Sequence, residues 1–360
     1  MIQKLEDKLK KRKEEGTFRS LSSFTGIDFW SNDYLGLSAL PLNYTERTQF
    51  GSTGSRLISG NSSIAEDCEQ QIASHFDAEA SLVYNSGYDA NLGFFSSIPQ
   101  KGDLVIYDSD IHASVRDGVR LSFARTVSFA HNSLEDLEKK LQLSADTKYV
   151  SIESLYSMRG DFAPIRAIVE LCEKYEAHLI VDEAHSGGIY GENGKGLIHA
   201  LGFENRVFAR LITFGKAYGC HGAAIVTSQF VKEYLVNFSR SFIYSTALPD
   251  ESYVRIMKSI NWQELNAERT KLMQNCVYFR SLISDTSLLI ESEPNSPIQF
   301  IVLGSIEKTN QVAEKLRANN FLIKEILSPT VSKGREGVRI CIHSYNTFQE
   351  IKKLVQLLEV

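Results

Sequence analysis

Lys216 lies just past a short apolar run, Leu211-Ile212-Thr213-Phe214, and a lysine so placed can serve as nucleophile or base. Asp182-Glu183-Ala184-His185 follows the run His178–Val181 in the same way. Asp108-Ser109-Asp110-Ile111-His112 follows Leu104–Tyr107, and Glu153 and Ser157 follow a run near Ile152. Asn85-Ser86-Gly87-Tyr88 is a turn that opens a helical pattern, and its backbone N–H groups suit an anion. Polar residues at the C-terminal ends of strands are where open α/β folds build their sites.

One cofactor uses all of these parts. Pyridoxal phosphate (PLP) needs an amine for a Schiff base, a carboxylate on its ring nitrogen, a flat group over the ring and a helix N-terminus for its phosphate. Each residue alone has an ordinary structural reading: a surface lysine, a satisfied histidine, an aspartate that merely caps a helix. Their order along one chain is what favours the cofactor.

Other chemistries lose ground. No G-x-G-x-x-G follows a strand, and no G-x-x-x-x-G-K-[ST], H-E-x-x-H or G-x-S-x-G occurs. The Gly-Lys pairs at 194–195 and 215–216 both lack the following Ser or Thr. The five cysteines, Cys68, Cys172, Cys220, Cys276 and Cys341, are scattered with no C-x-x-C pair, which suggests reduced thiols, with neither a disulfide framework nor a metal site. A net charge of −5 argues against a general nucleic-acid binder. No apolar stretch is long enough to span a membrane, and the lysine-rich start lacks the apolar segment of a secretory signal, so a cytoplasmic protein is expected.

At 360 residues, 43% apolar and 23% charged, the chain has the make-up of a globular protein of two or three domains. Residues 2–15 read as an amphipathic helix with Ile2, Leu5 and Leu9 on one side. From residue 64 helical and strand-like patterns alternate: a helix through Ile64, Cys68, Ile72 and Phe76, the four strand-end runs above, and Ala223–Val226. Ser133 and Asp136 resemble a capping box, and Pro164 opens a helix. Past residue 250 comes a long helical stretch, about 251–283, then strands at 298–303 and 338–342 and a final helix capped by Thr347 and Glu350. This predicts an α/β fold: an N-terminal helix and arm (1–45), a large domain with a mostly parallel sheet (46–250) and a smaller α+β C-terminal domain (251–360).

The strings SNDYLGLS (31–38), GSTGSRLISG (51–60), SGYDAN (86–91), SIESLYSMRGD (151–161), VDEAHSGG (181–188), TFGKAYG (213–219), FIYSTALP (242–249) and SPIQF (296–300) together resemble the α-oxoamine synthases, and the match runs over nearly the whole chain. That resemblance implies the aspartate-aminotransferase-like fold, fold type I of PLP enzymes. It implies decarboxylative condensation of an amino acid, L-alanine expected, with an acyl-CoA or acyl-carrier thioester, pimeloyl expected; sister enzymes use glycine or serine, and a plain aminotransferase, which shares the fold, is the further alternative. It makes Lys216 the Schiff-base lysine, Asp182 the partner of the ring nitrogen, and His185 and Ser157 partners of the ring hydroxyl. His112 would stack on the ring, while Gly87, Tyr88 and Thr213 would hold the phosphate. Thr246 would reach the phosphate of a second subunit, implying a homodimer with shared sites. Asn32 would lie near the reacting centre, Arg339 would clamp the substrate carboxylate, Thr330 would touch the acyl substrate and Arg19 its distal carboxylate. No metal is implied. The chain departs from the family at Ala65, Leu327 and Arg159, and the first two bear on the acyl donor.

Overall fold

The computed structural model describes residues 2–18, 21, 25–41 and 49–358. In chain order its strands are β1 (Ile27–Asp28), β2 (Ala80–Tyr84), β3 (Leu104–Asp108), β4 (Arg125–Phe129), β5 (Lys148–Glu153), β6 (Ala177–Asp182), β7 (Ala209–Thr213) and β8 (Ala223–Thr227). They continue with β9 (Leu289–Ile290), β10 (Ile298–Val302), β11 (Phe321–Leu322), β12 (Lys324–Ile326) and β13 (Gly337–Cys341). The chain forms two compact units, Asn32–Ser157 with Asp161–Thr270, and Met1–Ser31 with Met158–Gly160 and Lys271–Val360.

The larger unit is built on a seven-stranded sheet in the order β2-β8-β7-β6-β5-β3-β4. Strands β3 to β7 run parallel, and β8 runs against both of its neighbours, β2 and β7. The inner parallel strands β3, β5, β6 and β7 are buried on both faces, which is why they read as largely apolar runs. Their side chains still divide by alternation. Leu104, Ile106, Val150, Ile152, Leu179 and Val181 pack with the helices Leu134–Leu141 and Ile165–Lys174. Val105, Tyr149, Ile180 and Leu211 face the opposite way, onto the helices Gly87–Ser97, Ala113–Leu121 and Gln229–Phe238.

Sequence patterning missed two strands of this sheet. β4, with the sequence RTVSF, lies at the edge and exposes most of its residues, so it carries no apolar run. β2, with the sequence ASLVY, is buried throughout and has no period to mark it. The long helical stretch is also divided: one helix ends at Ile260 and another begins at Leu265. Asn261 ends the first, its N–H and Nδ2 both donating to the carbonyl of Met257.

The smaller unit holds the antiparallel sheet β12-β13-β10-β9 and the parallel pair β1-β11. Thr347 and Glu350 cap the helix Phe348–Leu358 reciprocally, at 2.7 and 3.2 Å. In the larger unit Ser133 accepts from the N–H of Asp136, whose carboxylate reaches back to the N–H of Ala130. None of the five cysteines is paired; Cys220 is half-buried and the others buried. No described helix is long and apolar enough to cross a membrane.

Helix Gly87–Ser97 hangs from the sheet by Phe94 and Phe95, both fully buried. Phe94→Ala should therefore cost about 3–5 kcal/mol, through lost transfer energy and the cavity left behind. Urea unfolding followed by far-UV circular dichroism checks this, and a loss under about 1 kcal/mol would contradict the packing described.

Candidate active site

Because β3, β5, β6 and β7 run parallel, their C-terminal ends line one edge of the sheet, and the polar loop residues follow there. Asp182 is the last residue of β6 and is buried. Its Oδ1 accepts from the N–H of Ala184 at 2.9 Å, and its Oδ2 accepts from Nδ2 of Asn91 at 3.0 Å. Asn91 also donates to Oγ of Ser114 at 3.0 Å, and that hydroxyl lies 2.7 Å from Nδ1 of His112. A line of hydrogen bonds thus joins Asp182 to His112, which caps the helix Ala113–Leu121. Burial holds the His112 ring below its ordinary pKa, with Lys216 reinforcing that and Asp182 opposing it.

Lys216 follows β7 by three residues, and its Nζ lies 2.9 Å from Nε2 of His185. The other ring nitrogen of His185 lies 2.8 Å from the hydroxyl of Tyr34, which donates to Oδ1 of Asn32 at 3.1 Å. With the phenol proton given to Asn32, Tyr34 accepts from Nδ1–H of His185, and Nε2 is left to accept from the lysine. One tautomer of His185 serves both of these contacts.

The N-terminus of helix Gly87–Ser97 stands at the end of β2. Ser86 caps it by accepting from the N–H of Asp89 at 3.1 Å, while Gly87 and Tyr88 occupy the first turn, where N–H groups have no helical acceptor. A Cβ added at Gly87 would lie 2.7 Å from Oγ1 of Thr213, so only glycine lets the helix come this close to the end of β7. The Tyr88 hydroxyl donates to Asp117, away from that turn. Asn85 holds the backbone carbonyl of Thr246 at 2.9 Å, and Thr246 itself is exposed.

The larger unit thus joins Asp182 to His112 by one line of hydrogen bonds and Lys216, His185 and Asn32 by another, and brings Gly87 against Thr213 by contact. Arg339 and Thr330 belong to the smaller unit: Arg339 is buried on β13, opposite Phe300 and Lys324, and Thr330 is exposed. Arg19 lies outside the described residues. Tyr34 and Asn91 escaped sequence reasoning. Asn91 stands one helical turn beyond Gly87, and that spacing from the glycine turn is the signal in the sequence that points to it.

Glu153, the last residue of β5, pairs in register with Asp182. It is fully enclosed; Oε2 accepts from the N–H of Ser157 at 3.1 Å, and Oε1 has no hydrogen-bond partner. An amine, a carboxylate, an imidazole, a narrow helix N-terminus and an orphaned buried oxygen form a donor set that fits PLP. Burial first, and then the Asp182 charge, push the Glu153 carboxyl up to about 8, against the pull of Lys216. Its folded-state value lies above the ordinary 4.5, so it lowers stability progressively as pH rises from about 4.5 to about 8, and not further beyond. Glu153→Gln should remove that loss. In thermal melts of the cofactor-free chain, the advantage of the variant should grow across this window; a difference independent of pH would contradict it.

The aminotransferase class I and II family model matches residues 25–358. An 8-amino-7-oxononanoate synthase from Emericella nidulans is 37% identical, with 99% of this chain and 92% of that one covered. The structure of an 8-amino-7-oxononanoate synthase from Francisella tularensis superposes with a TM-score of 0.76 at 28% identity, covering 92% of this chain and 96% of that one. A serine palmitoyltransferase from S. paucimobilis, with a PLP–myriocin aldimine bound, superposes with a TM-score of 0.89 at 27% identity, covering 98% and 95%. The fold is that of the fold-type I PLP transferases. The chain belongs to the aminotransferase class I and II family of PLP-dependent enzymes, in its α-oxoamine synthase branch.

Proposed function

We propose that the chain condenses L-alanine with a pimeloyl thioester, of CoA or of a carrier protein, to give 8-amino-7-oxononanoate, CO₂ and free thiol, a step of biotin synthesis. What carries this reading is the cluster at the strand ends, Lys216 2.9 Å from His185 beside Asp182, in a chain 37% identical to an 8-amino-7-oxononanoate synthase. The absence of any long apolar helix among the described residues suits a cytoplasmic enzyme.

When bound, PLP supplies a protonated ring that draws electron density from the α-carbon of the amino acid. The chain supplies the rest. Lys216 would anchor the cofactor and, as a free amine, its Nζ would take the α-proton, with His185 accepting from that nitrogen to orient it. Asp182 holds a proton at the ring nitrogen, itself steadied by Asn91 and Ala184. His112 covers the ring face, and Ser157 and His185 meet its hydroxyl. Gly87, Tyr88 and Thr213 receive the phosphate at the helix N-terminus. Asn32 faces the reacting centre through Tyr34. In the smaller unit, Arg339 offers a guanidinium fork to the substrate carboxylate, with Thr330 toward the acyl chain. One C–C bond forms at the α-carbon as the thioester C–S bond breaks and the thiol leaves; the carboxylate is then lost as CO₂, and the carbon takes up a proton in its place.

The active form in this reading is a homodimer, each Thr246 reaching the phosphate of the other subunit. A sister activity on glycine or serine is the second reading, favoured by the serine palmitoyltransferase match.

Pimeloyl-CoA with alanine, glycine or serine separates the two. Release of free CoA should saturate with alanine and stay near background with the others; a preference for serine or glycine moves the chain to the sister activity. Lys216→Ala should lower turnover by at least about 10²–10⁴-fold, as loss of a positioned base does, and full turnover would refute its role. Asp182→Asn should still bind PLP, yet turnover should fall by about a hundredfold or more; wild-type rates would refute the ring-nitrogen role.

A further inference from the structure

His131, in the turn after β4, takes no part in the site as described. Its ring lies between two carboxylates, with Nδ1 2.9 Å from Oδ1 of Asp108 and Nε2 2.7 Å from Oδ2 of Asp161. Each nitrogen faces a carboxylate oxygen, which favours a proton on both, and Nε2 also lies 3.4 Å from Nδ2 of Asn132. Burial opposes the charge, but hydrogen bonds to Asp108 and Asp161 outweigh it and push His131 up to about 10. The other groups facing the ring are the Asp110 carboxylate, 4.0 Å from Nδ1, and the Tyr156 ring, edge-on at 4.5 Å.

Asn132 doubles the connection. Its N–H donates to Oδ2 of Asp108 at 2.9 Å, and its Nδ2 donates to Oδ2 of Asp161 and to the Phe162 carbonyl, both at 3.1 Å. A positive φ of 53° lets backbone and side chain of Asn132 point to different partners at once.

The two carboxylates belong to different parts of the site. Asp108 ends β3 and shapes the loop to His112: its side chain accepts from the N–H of Asp110 at 2.8 Å and its carbonyl from the N–H of Ile111 at 3.0 Å. Asp161 accepts through its carbonyl from the N–H of Tyr156 at 3.0 Å, and the Leu155–Phe162 bridge closes the segment that carries Ser157. We propose that His131 is a positioning residue: by bridging Asp108 and Asp161 it locks the His112 loop to the Ser157 segment, and so sets the grip on the cofactor ring.

The inference rests on the PLP reading above, and its test keeps the two apart. PLP is titrated into wild-type chain and into His131→Gln and His131→Arg, following the visible absorbance and visible circular dichroism of the bound cofactor. His131→Gln loses the charge, so it should weaken PLP binding about tenfold and diminish the visible dichroism. His131→Arg keeps the charge and can reach both carboxylates, so it should recover most of the affinity. Gln binding PLP as tightly as wild type with unchanged dichroism, or Arg no better than Gln, would overturn the inference. If His131→Gln does not fold, Asp161→Asn removes one carboxylate and spares the Asp108 pair; it should weaken PLP in the same direction, and unchanged binding overturns the inference. Wild-type chain that does not bind PLP would instead overturn the reading of the site.

Discussion

Two carboxylates side by side at one edge of a sheet are the constraint on which the site depends. β5 ends in Glu153 and β6 in Asp182, paired in register and buried. Like charges so close in a dry place raise the cost of ionising both, and the structure meets this by giving the two groups different surroundings. Asp182 accepts two good hydrogen bonds, one at each oxygen, whereas Oε1 of Glu153 has no hydrogen-bond partner. A proton retained on Glu153 at neutral pH lowers the negative charge gathered at this buried edge.

The polar lines that radiate from that edge are short and fully used. One runs from Asp182 through Asn91 and Ser114 to His112, and another from Lys216 through His185 and Tyr34 to Asn32. Asn91, Ser114 and Tyr34 serve in these lines only as connectors. Networks of this kind fix tautomers and ring orientations, so the reactive groups are aimed by residues that do no chemistry themselves.

Much of the fold was legible because the inner parallel strands are covered on both faces and so spell out largely apolar runs. β4 was not, since an exposed edge strand such as RTVSF has no such run, and His131 was overlooked along with it. The helix break at Asn261 was hidden by helical spacing on either side, where a local amide-to-carbonyl bond decides the matter. In the site, Lys216, Asp182, His185 and His112 could be picked out because strand ends mark them. Tyr34 and Asn91 could not, because their partners, His185 and Asp182, are 151 and 91 residues away, and only the folded sheet brings them together.

The most direct test of the account is to load the chain with PLP, reduce it with borohydride, digest it and locate the modified lysine by mass spectrometry. The account predicts a pyridoxyl group on the peptide containing Lys216 and on no other. Modification of a different lysine, or none despite bound cofactor, would contradict it.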